Sequence, residues 1–310
     1  MRRIEYSRYG GPEELRLADV ARPTPSDDQV LVGVRAASTN PMDWKIRAGT
    51  AKMMTGKHFP RGVGTDFAGV VEAIGANVTR FKVGDAVFGA MTMKDSSTFA
   101  EQIVTAEDTA ALKPASVGFE EAATLPIAGA TAWSALINTA KLQSGQRVFI
   151  NGCLGSVGRA AVQLAKAHGA RIVGSCAASG IPDAQALGAE EAIDYKKFDV
   201  AGYRKAFDVV FDTAGSLSPG QCLSMLNSKG VALHINLTPL KMIGVLLTRR
   251  NKSVFAKTPP AVLEQLGQLA ANNCLKLPIA AVVPLAKTIP AITTLETSGK
   301  PKGKLVIVPG

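Results

Sequence analysis

The sequence has little of what marks secreted, membrane-spanning or metal-built proteins. Its four cysteines, Cys153, Cys176, Cys222 and Cys274, are scattered over 310 residues and form no CxxC pair. The N-terminus is basic but has no apolar run behind it, so it does not read as a secretory leader. Free thiols and a cytoplasmic location are therefore expected rather than a disulfide framework. His58, His168 and His234 are equally dispersed and give no metal-ligand spacing, so no metal site is predicted. The most apolar stretches, residues 161–167 and 243–247, fall far short of the roughly 18 residues that a membrane span needs. Aromatic residues make up only 5% of the chain. The net charge of +10 is spread out, with short pairs such as Lys196-Lys197 and Arg249-Arg250. Single-strand nucleic-acid binding needs a basic stripe interleaved with stacking rings, which is absent. No nucleic-acid partner is expected; the charge reads as a solvated basic surface that attracts a polyanionic cofactor.

What is present is enough apolar material, 46% of residues, for two domains or for one split around another. Residues 1–120 show short β-type segments punctuated by Gly and Pro, at 29–38, 69–75, 85–89 and 100–104. From 121 to 270 apolar strands alternate with amphipathic helices. Strands are predicted at 147–151, 172–175, 207–212 and 231–236. Between the first two, Val157, Ala160, Ala161, Leu164 and Ala165 fall on one helical face. Such alternation implies a doubly wound parallel sheet, the Rossmann arrangement. Residues 271–310 return to β character at 280–285 and 304–308. This order predicts an α/β domain, 121–270, inserted into a mostly β domain made of 1–120 and 271–310.

The turn between the first inserted strand and its helix carries Cys153-x-Gly155-x-x-Gly158. In a G-x-G-x-x-G fingerprint the glycines allow a tight turn, close backbone approach to a pyrophosphate and close helix packing. The helix N-terminus adds free N–H groups and a positive dipole end. Cys153 stands where the first glycine is usual, with Gly152 one position earlier. A Gly-rich turn alone is weak evidence, but here a strand precedes it and a helix and second strand follow. NAD sites place an Asp or Glu at the end of that second strand. Here the segment Ser175–Gly180 is small and neutral, and no carboxylate lies between Gly158 and Asp183. A 2′-phosphate would meet no repulsion, which favours NADPH.

With these residues in hand, the chain resembles the zinc-independent medium-chain dehydrogenases/reductases of the quinone oxidoreductase, or zeta-crystallin-like, branch. The resemblance runs almost end to end. It rests on Asn40-Pro41-Met42-Asp43, Gly64-Thr65-Asp66-Phe67-Ala68-Gly69-Val70-Val71, Gly84-Asp85-Ala86-Val87, Leu125–Ala132 and Lys302-Gly303-Lys304-Leu305-Val306. It implies a Rossmann domain inserted into a GroES-like catalytic domain, with a small-molecule quinone or enone as substrate. In zinc-dependent relatives a Cys and a His take the places held here by Asn40 and Thr65. Without a Lewis acid, alcohol chemistry loses its main device. Hydride transfer to a quinone or an α,β-unsaturated carbonyl, in a cleft between the domains, needs less.

By resemblance, Asn40 and Thr131 should lie near the nicotinamide ribose, nicotinamide or phosphate, and Gly155, Ser156, Val157 and Gly158 at the pyrophosphate. Ser175 should approach the adenosine ribose, and Tyr195 and Lys196 the 2′-phosphate. Asn236 should sit at the nicotinamide side, and Lys304 should touch the cofactor. Ser179 occupies a place where many NADPH-using relatives carry Arg or Lys, and Cys153 stands in the pyrophosphate turn. Asn40 is also a candidate catalytic residue, and Lys45 is a candidate proton donor or anion contact, or a plain surface lysine. Trp44 and Phe255 are candidate substrate walls, or plain core. Relatives often pair as homodimers through the edge strands of their cofactor domains, and the apolar segment 243–247 suits that. A non-catalytic NADP(H)-binding protein, redox-sensing or nucleic-acid-associated, stays open as the alternative.

Overall fold

A computed structural model describes residues 1–236, 238–297 and 302–310. The chain divides into two compact units, 1–127 with 258–310, and 128–257. The first unit opens with β1 (Arg2–Tyr6), β2 (Arg16–Asp19), β3 (Gln29–Ser38) and β4 (Arg61–Gly62). It continues with β5 (Asp66–Ile74), β6 (Ala86–Ala90), β7 (Gln102–Ala106) and β8 (Ala110–Leu112). β3 is the spine: its residues are buried almost without interruption, as expected of a strand covered on both faces. It pairs antiparallel with β5 along one edge and, over Gln29–Gly33, with β7 along the other. A smaller antiparallel sheet runs β2-β1-β4.

The inserted unit contributes β9 (Arg147–Asn151), β10 (Arg171–Cys176), β11 (Glu191–Asp194), β12 (Phe207–Asp212), β13 (Leu226–His234) and β14 (Asn251–Ser253). They form one sheet in the order β11-β10-β9-β12-β13-β14, and every neighbour is parallel. Chain order reverses between β9 and β12, the switch point outside which ligands of such sheets bind. The strands bury near-continuous apolar runs, and Phe149, Val173, Phe207, Val210, Met225 and Ala232 meet in one core. The helix Ser156–Ala167 turns its predicted face inward with one adjustment. Gly158 and Val162 join the buried stripe, while Val157 sits half-exposed at its edge.

The chain then returns to the first unit with β15 (Ile279–Pro284) and β16 (Lys304–Val308), which pair parallel to each other. β16 lies antiparallel against the end of β3, with Val306 opposite Ser38 and Ile307 opposite Ala37. The return begins earlier than 271. The helix Pro260–Ala271 belongs to the first unit, where a Cβ on Gly267 would stand 3.3 Å from Phe88 and 3.2 Å from Pro114. Among the described residues no helix is long and apolar enough to cross a membrane.

Candidate functional site

The glycine turn is built around Gly152 as much as around Gly155. Gly152 takes a φ of 78°, where a side chain is strained, and its N–H donates to the Ser175 carbonyl at 3.1 Å. A Cβ on Gly158 would stand 2.1 Å from the Gly152 carbonyl oxygen, so only glycine lets the helix come this close to β9. Gly155 begins the helix and is exposed, and a Cβ there would meet nothing nearer than 3.5 Å. The first intrahelical bond is Arg159 N–H to the Gly155 carbonyl, 2.7 Å. The N–H groups of Ser156, Val157 and Gly158 precede it and have no acceptor in the helix.

Cys153 turns inward. Its side chain is fully buried and fills the space that Gly174 leaves on β10; a Cβ there would stand 2.7 Å from the sulfur. Burial pushes its thiol up to about 12, with Cys176 adding to the effect, and its N–H is already donated to the Ser175 carbonyl. Ser175 is enclosed as well: it is 1% exposed, donates its hydroxyl to Asn151 Oδ1 at 2.6 Å and accepts from Gly152 N–H at 3.1 Å.

Beneath the turn lies a polar network that sequence reasoning missed. Asn151, at the end of β9, donates to Asp212 Oδ1 at 2.7 Å and to Ser216 at 2.8 Å. Asp212, at the end of β12, also accepts the Gly215 N–H at 2.9 Å. Lys241, on the helix Pro239–Leu246, reaches Asp212 Oδ2 at 3.4 Å and also donates to the Gly215 carbonyl. Two of its three donors are thus spoken for beside the switch point. The Asn236 amide donates to the Thr213 carbonyl at 3.2 Å, bracing the loop after β12.

Around the end of β10, Ser179 and Lys196 are exposed and Tyr195 is 55% exposed. The Tyr195 N–H bonds to the Cys176 carbonyl at 2.9 Å, which carries these residues alongside the end of β10. The neighbourhood is not free of acid, as the sequence suggested. Asp194 lies opposite Cys176 in the sheet, and together with Asp183 it holds the Cys176 thiol high, after burial. Both carboxylates are engaged, Asp194 by the Lys196 N–H at 3.1 Å and Asp183 by Arg159 at 3.9 Å. Thr131 is buried in the helix Pro126–Trp133 of the inserted unit. Phe255 is 75% exposed, so it is not core.

In the first unit three strand ends converge: the end of β3 and the starts of β5 and β16. They bring together Asn40, Asp66 and Lys304, all nearly solvent-free. Lys304 Nζ donates to Asp66 Oδ2 at 2.7 Å, Asn40 Oδ1 at 3.0 Å and the Thr124 carbonyl at 3.2 Å. The Asn40 amide nitrogen donates to Asp66 at 2.8 Å and Thr65 at 3.2 Å. Asp66 Oδ1 accepts the Ile127 N–H at 3.0 Å. Every donor of Lys304 and both functions of the Asn40 amide are therefore spent inside the cluster. Both side chains, expected by resemblance to touch the cofactor, are held in this buried network. Asp43 completes the group, accepting from the Asn40 N–H at 2.7 Å and the Thr65 hydroxyl at 3.2 Å. Burial raises its carboxyl to about 7, and nearby Asp66 pushes the same way. Lys45 and Trp44 sit half-buried on the following helix, Pro41–Arg47.

Comparison with known proteins bears on both units. Residues 26–141 match the alcohol dehydrogenase GroES-like domain family, and residues 187–307 match the zinc-binding dehydrogenase family. The quinone oxidoreductase homolog, chloroplastic, of Spinacia oleracea is 31% identical over 325 residues, covering 100% of this chain and 98% of that protein. This chain belongs to the quinone oxidoreductase branch of the medium-chain dehydrogenases/reductases. The quinone oxidoreductase structure from Coxiella burnetii superposes with a TM-score of 0.90 at 31% identity, covering 99% of each chain. The Escherichia coli quinone oxidoreductase complexed with NADPH gives a TM-score of 0.85 at 25% identity over 100% of both chains. Membership makes the protein an oxidoreductase with a GroES-like unit and a Rossmann-type unit.

Set in this quinone oxidoreductase family, the Asn40 cluster takes on a chemical meaning. Where zinc-dependent relatives have a Cys and a His, this chain has an amide and a hydroxyl. The oxygens that converge here are occupied by the ammonium of its own Lys304. Lys304 and Asp66 were legible only as motif letters. Their pairing depends on β16 returning beside β3 after an insertion of more than a hundred residues.

Proposed function

We propose that the protein is an NADPH-dependent oxidoreductase that reduces quinones or the C=C bond of α,β-unsaturated carbonyls by hydride transfer, without zinc. The observation that carries this is the Gly152/Gly155/Gly158 turn at the β9/β12 switch point, which opens a helix whose first N–H groups have no acceptor within it. These residues fit a dinucleotide: Gly155 leaves room for close approach, and the N–H groups of Ser156 and Val157 would hold the pyrophosphate. Tyr195 and Lys196, with Ser179 nearby, would hold the 2′-phosphate. Thr131 and Asn236 are proposed to position the nicotinamide end, as in relatives. Bound there, NADPH supplies the hydride.

The protein's own part is orientation and charge. Lys241 beside Asp212 places a cation near the pyrophosphate turn, on the same rim as Asn236. Lys45 is the proposed proton donor or anion contact, and Trp44 and Phe255 the proposed apolar walls. A zinc ion does not suit the donor set at Asn40 and Thr65, which offers no thiolate or imidazole, and its cationic place is filled by Lys304. Quinones and enones spread developing negative charge by conjugation, which is why they suit a site of this kind. In the inserted sheet, β14 pairs only with β13, and Met242, Ile243, Leu246 and Leu247 are exposed nearby in sequence. Both features favour a homodimer through this edge. All four cysteines are free, in keeping with a reducing compartment such as the cytoplasm.

The test is steady-state oxidation of NADPH against a panel of quinones and enones, with metal analysis of the same preparation. Turnover with stoichiometric zinc absent is expected. Binding of NADPH without turnover of any acceptor sinks the enzyme reading and leaves the non-catalytic alternative.

A further inference from the structure

In the first unit, a cavity of about 210 Å³ opens where β1, the segment entering β4 and the loop 94–97 meet. Arg3, His58, Arg61, Lys94, Ser96 and Ser97 line it. None of these belongs to the Asn40 cluster or to the glycine turn. Its chemistry is one-sided. Asp95 is the carboxylate among the lining residues, and its Oδ2 accepts from the Thr92 hydroxyl at 2.7 Å. Glu5, the carboxylate that meets Arg3, is shared with Arg16.

Arg61 is the residue that most needs an explanation. It is 8% exposed, yet no carboxylate pairs with it among the described residues. Nη1 donates to the Thr55 carbonyl at 2.6 Å and Nη2 to the Lys94 carbonyl at 2.9 Å, while Nε has no partner. Neutral carbonyls satisfy hydrogen bonds but do not cancel a charge, and a buried uncompensated cation is costly. Burial raises the Tyr6 hydroxyl, and the Arg61 guanidinium beside it pulls the other way, so one side of the guanidinium faces Tyr6 inside the fold.

The loop is held firmly against β4, since a Cβ on Gly62 would stand 2.1 Å from the Ser97 hydroxyl oxygen. Ser97 thus lines the cavity beside Lys94 and Arg61, while the Ser96 hydroxyl donates to the Met93 carbonyl at 3.4 Å. The volume is below the roughly 300–1,000 Å³ of whole-ligand pockets and suits a single head group. We infer that this cavity is an oxyanion site of the phosphate class, taking either inorganic phosphate or the terminal group of an organic phosphomonoester. Arg61 and Lys94 supply charge, and His58 and Ser97 supply donors.

The probe is inorganic phosphate, titrated at constant ionic strength into the full-length protein and followed by amide resonances. Saturable shifts are expected at Gly62, Ser96 and Ser97. The double variant His58→Ala/Lys94→Ala, made at two exposed positions, should weaken the affinity at least fivefold while the melting temperature stays put. Arg61→Lys, which keeps the charge but loses the planar fork, should weaken it further if the variant folds. Glycerol phosphate binding more tightly than phosphate points to an organic ester as the source, and equal binding points to the free ion. Shifts that never saturate, that are confined to residues 156–158, that acetate reproduces equally, or that survive the double variant unchanged each overturn the site.

Discussion

Asp66 and Asp212 are both buried carboxylates met by a lysine, one in each unit, yet the two pairs are built differently. Asp66 and Lys304 stand 2.7 Å apart with side-chain exposures of 0% and 2%. All three ammonium donors are consumed within the cluster. Asp212 and Lys241 stand 3.4 Å apart, and the lysine is 17% exposed at the rim of the parallel sheet. The first pair is closed and can only hold its strand ends in place. The second is open, with a cation whose attraction extends to whatever occupies the switch point. A charged pair at a site is thus not in itself a sign of function. The spare donor and the accessible rim are.

The strongest way to break this contrast is to remove each lysine in turn. Lys304→Met leaves Asp66 buried and unpaired, and should cost about 3–5 kcal/mol in urea unfolding. Lys241→Met should cost under about 1 kcal/mol yet weaken NADPH binding in a calorimetric titration. Equal stability losses would erase the distinction.

Asp43 sharpens the closed side. Its carboxyl is raised from 3.8 to about 7, so the folded state holds its proton more tightly than the unfolded chain does. The associated stability is fully present below the unfolded value and is lost as pH rises through about 7. Compared with Asp43→Asn, the wild type should therefore lose up to about 4 kcal/mol between pH 4 and pH 8. Parallel unfolding curves for the two proteins across that range would show that Asp43 does not titrate there.

On the open side, Gly158→Ala drives a Cβ into the Gly152 carbonyl. It should cost about 1–3 kcal/mol and sharply reduce NADPH affinity, measured by fluorescence titration. Retained affinity would mean that the turn does not hold the dinucleotide. The smallest effect belongs to specificity. Tyr195→Phe with Lys196→Ala should weaken NADPH about tenfold, roughly 1.4 kcal/mol, and NADH hardly at all. Equal losses would place the 2′-phosphate elsewhere.

Much of the fold was readable in advance because its signals are local. The alternation of strand and amphipathic helix, the glycine spacing and the apolar runs of β9, β10 and β12 all lie within short windows of chain. The errors also have physical causes. Spacing did not reveal which way the Cys153 side chain turns, and Gly174 on the next strand gave the sulfur a buried place. The helix Pro260–Ala271 looked like part of the inserted domain because an amphipathic helix does not name the sheet it covers.

By itself, then, the sequence determined the succession of β and α/β segments, the glycine turn and the neutral residues ending β10, since each depends on neighbours in the chain. Tertiary structure decided which polar groups stay available. Asn40, Ser175 and Lys304 show it: strand ends from distant parts of the chain surround them with partners, because a hydrogen-bonding group in a dry interior must be paired where it lies.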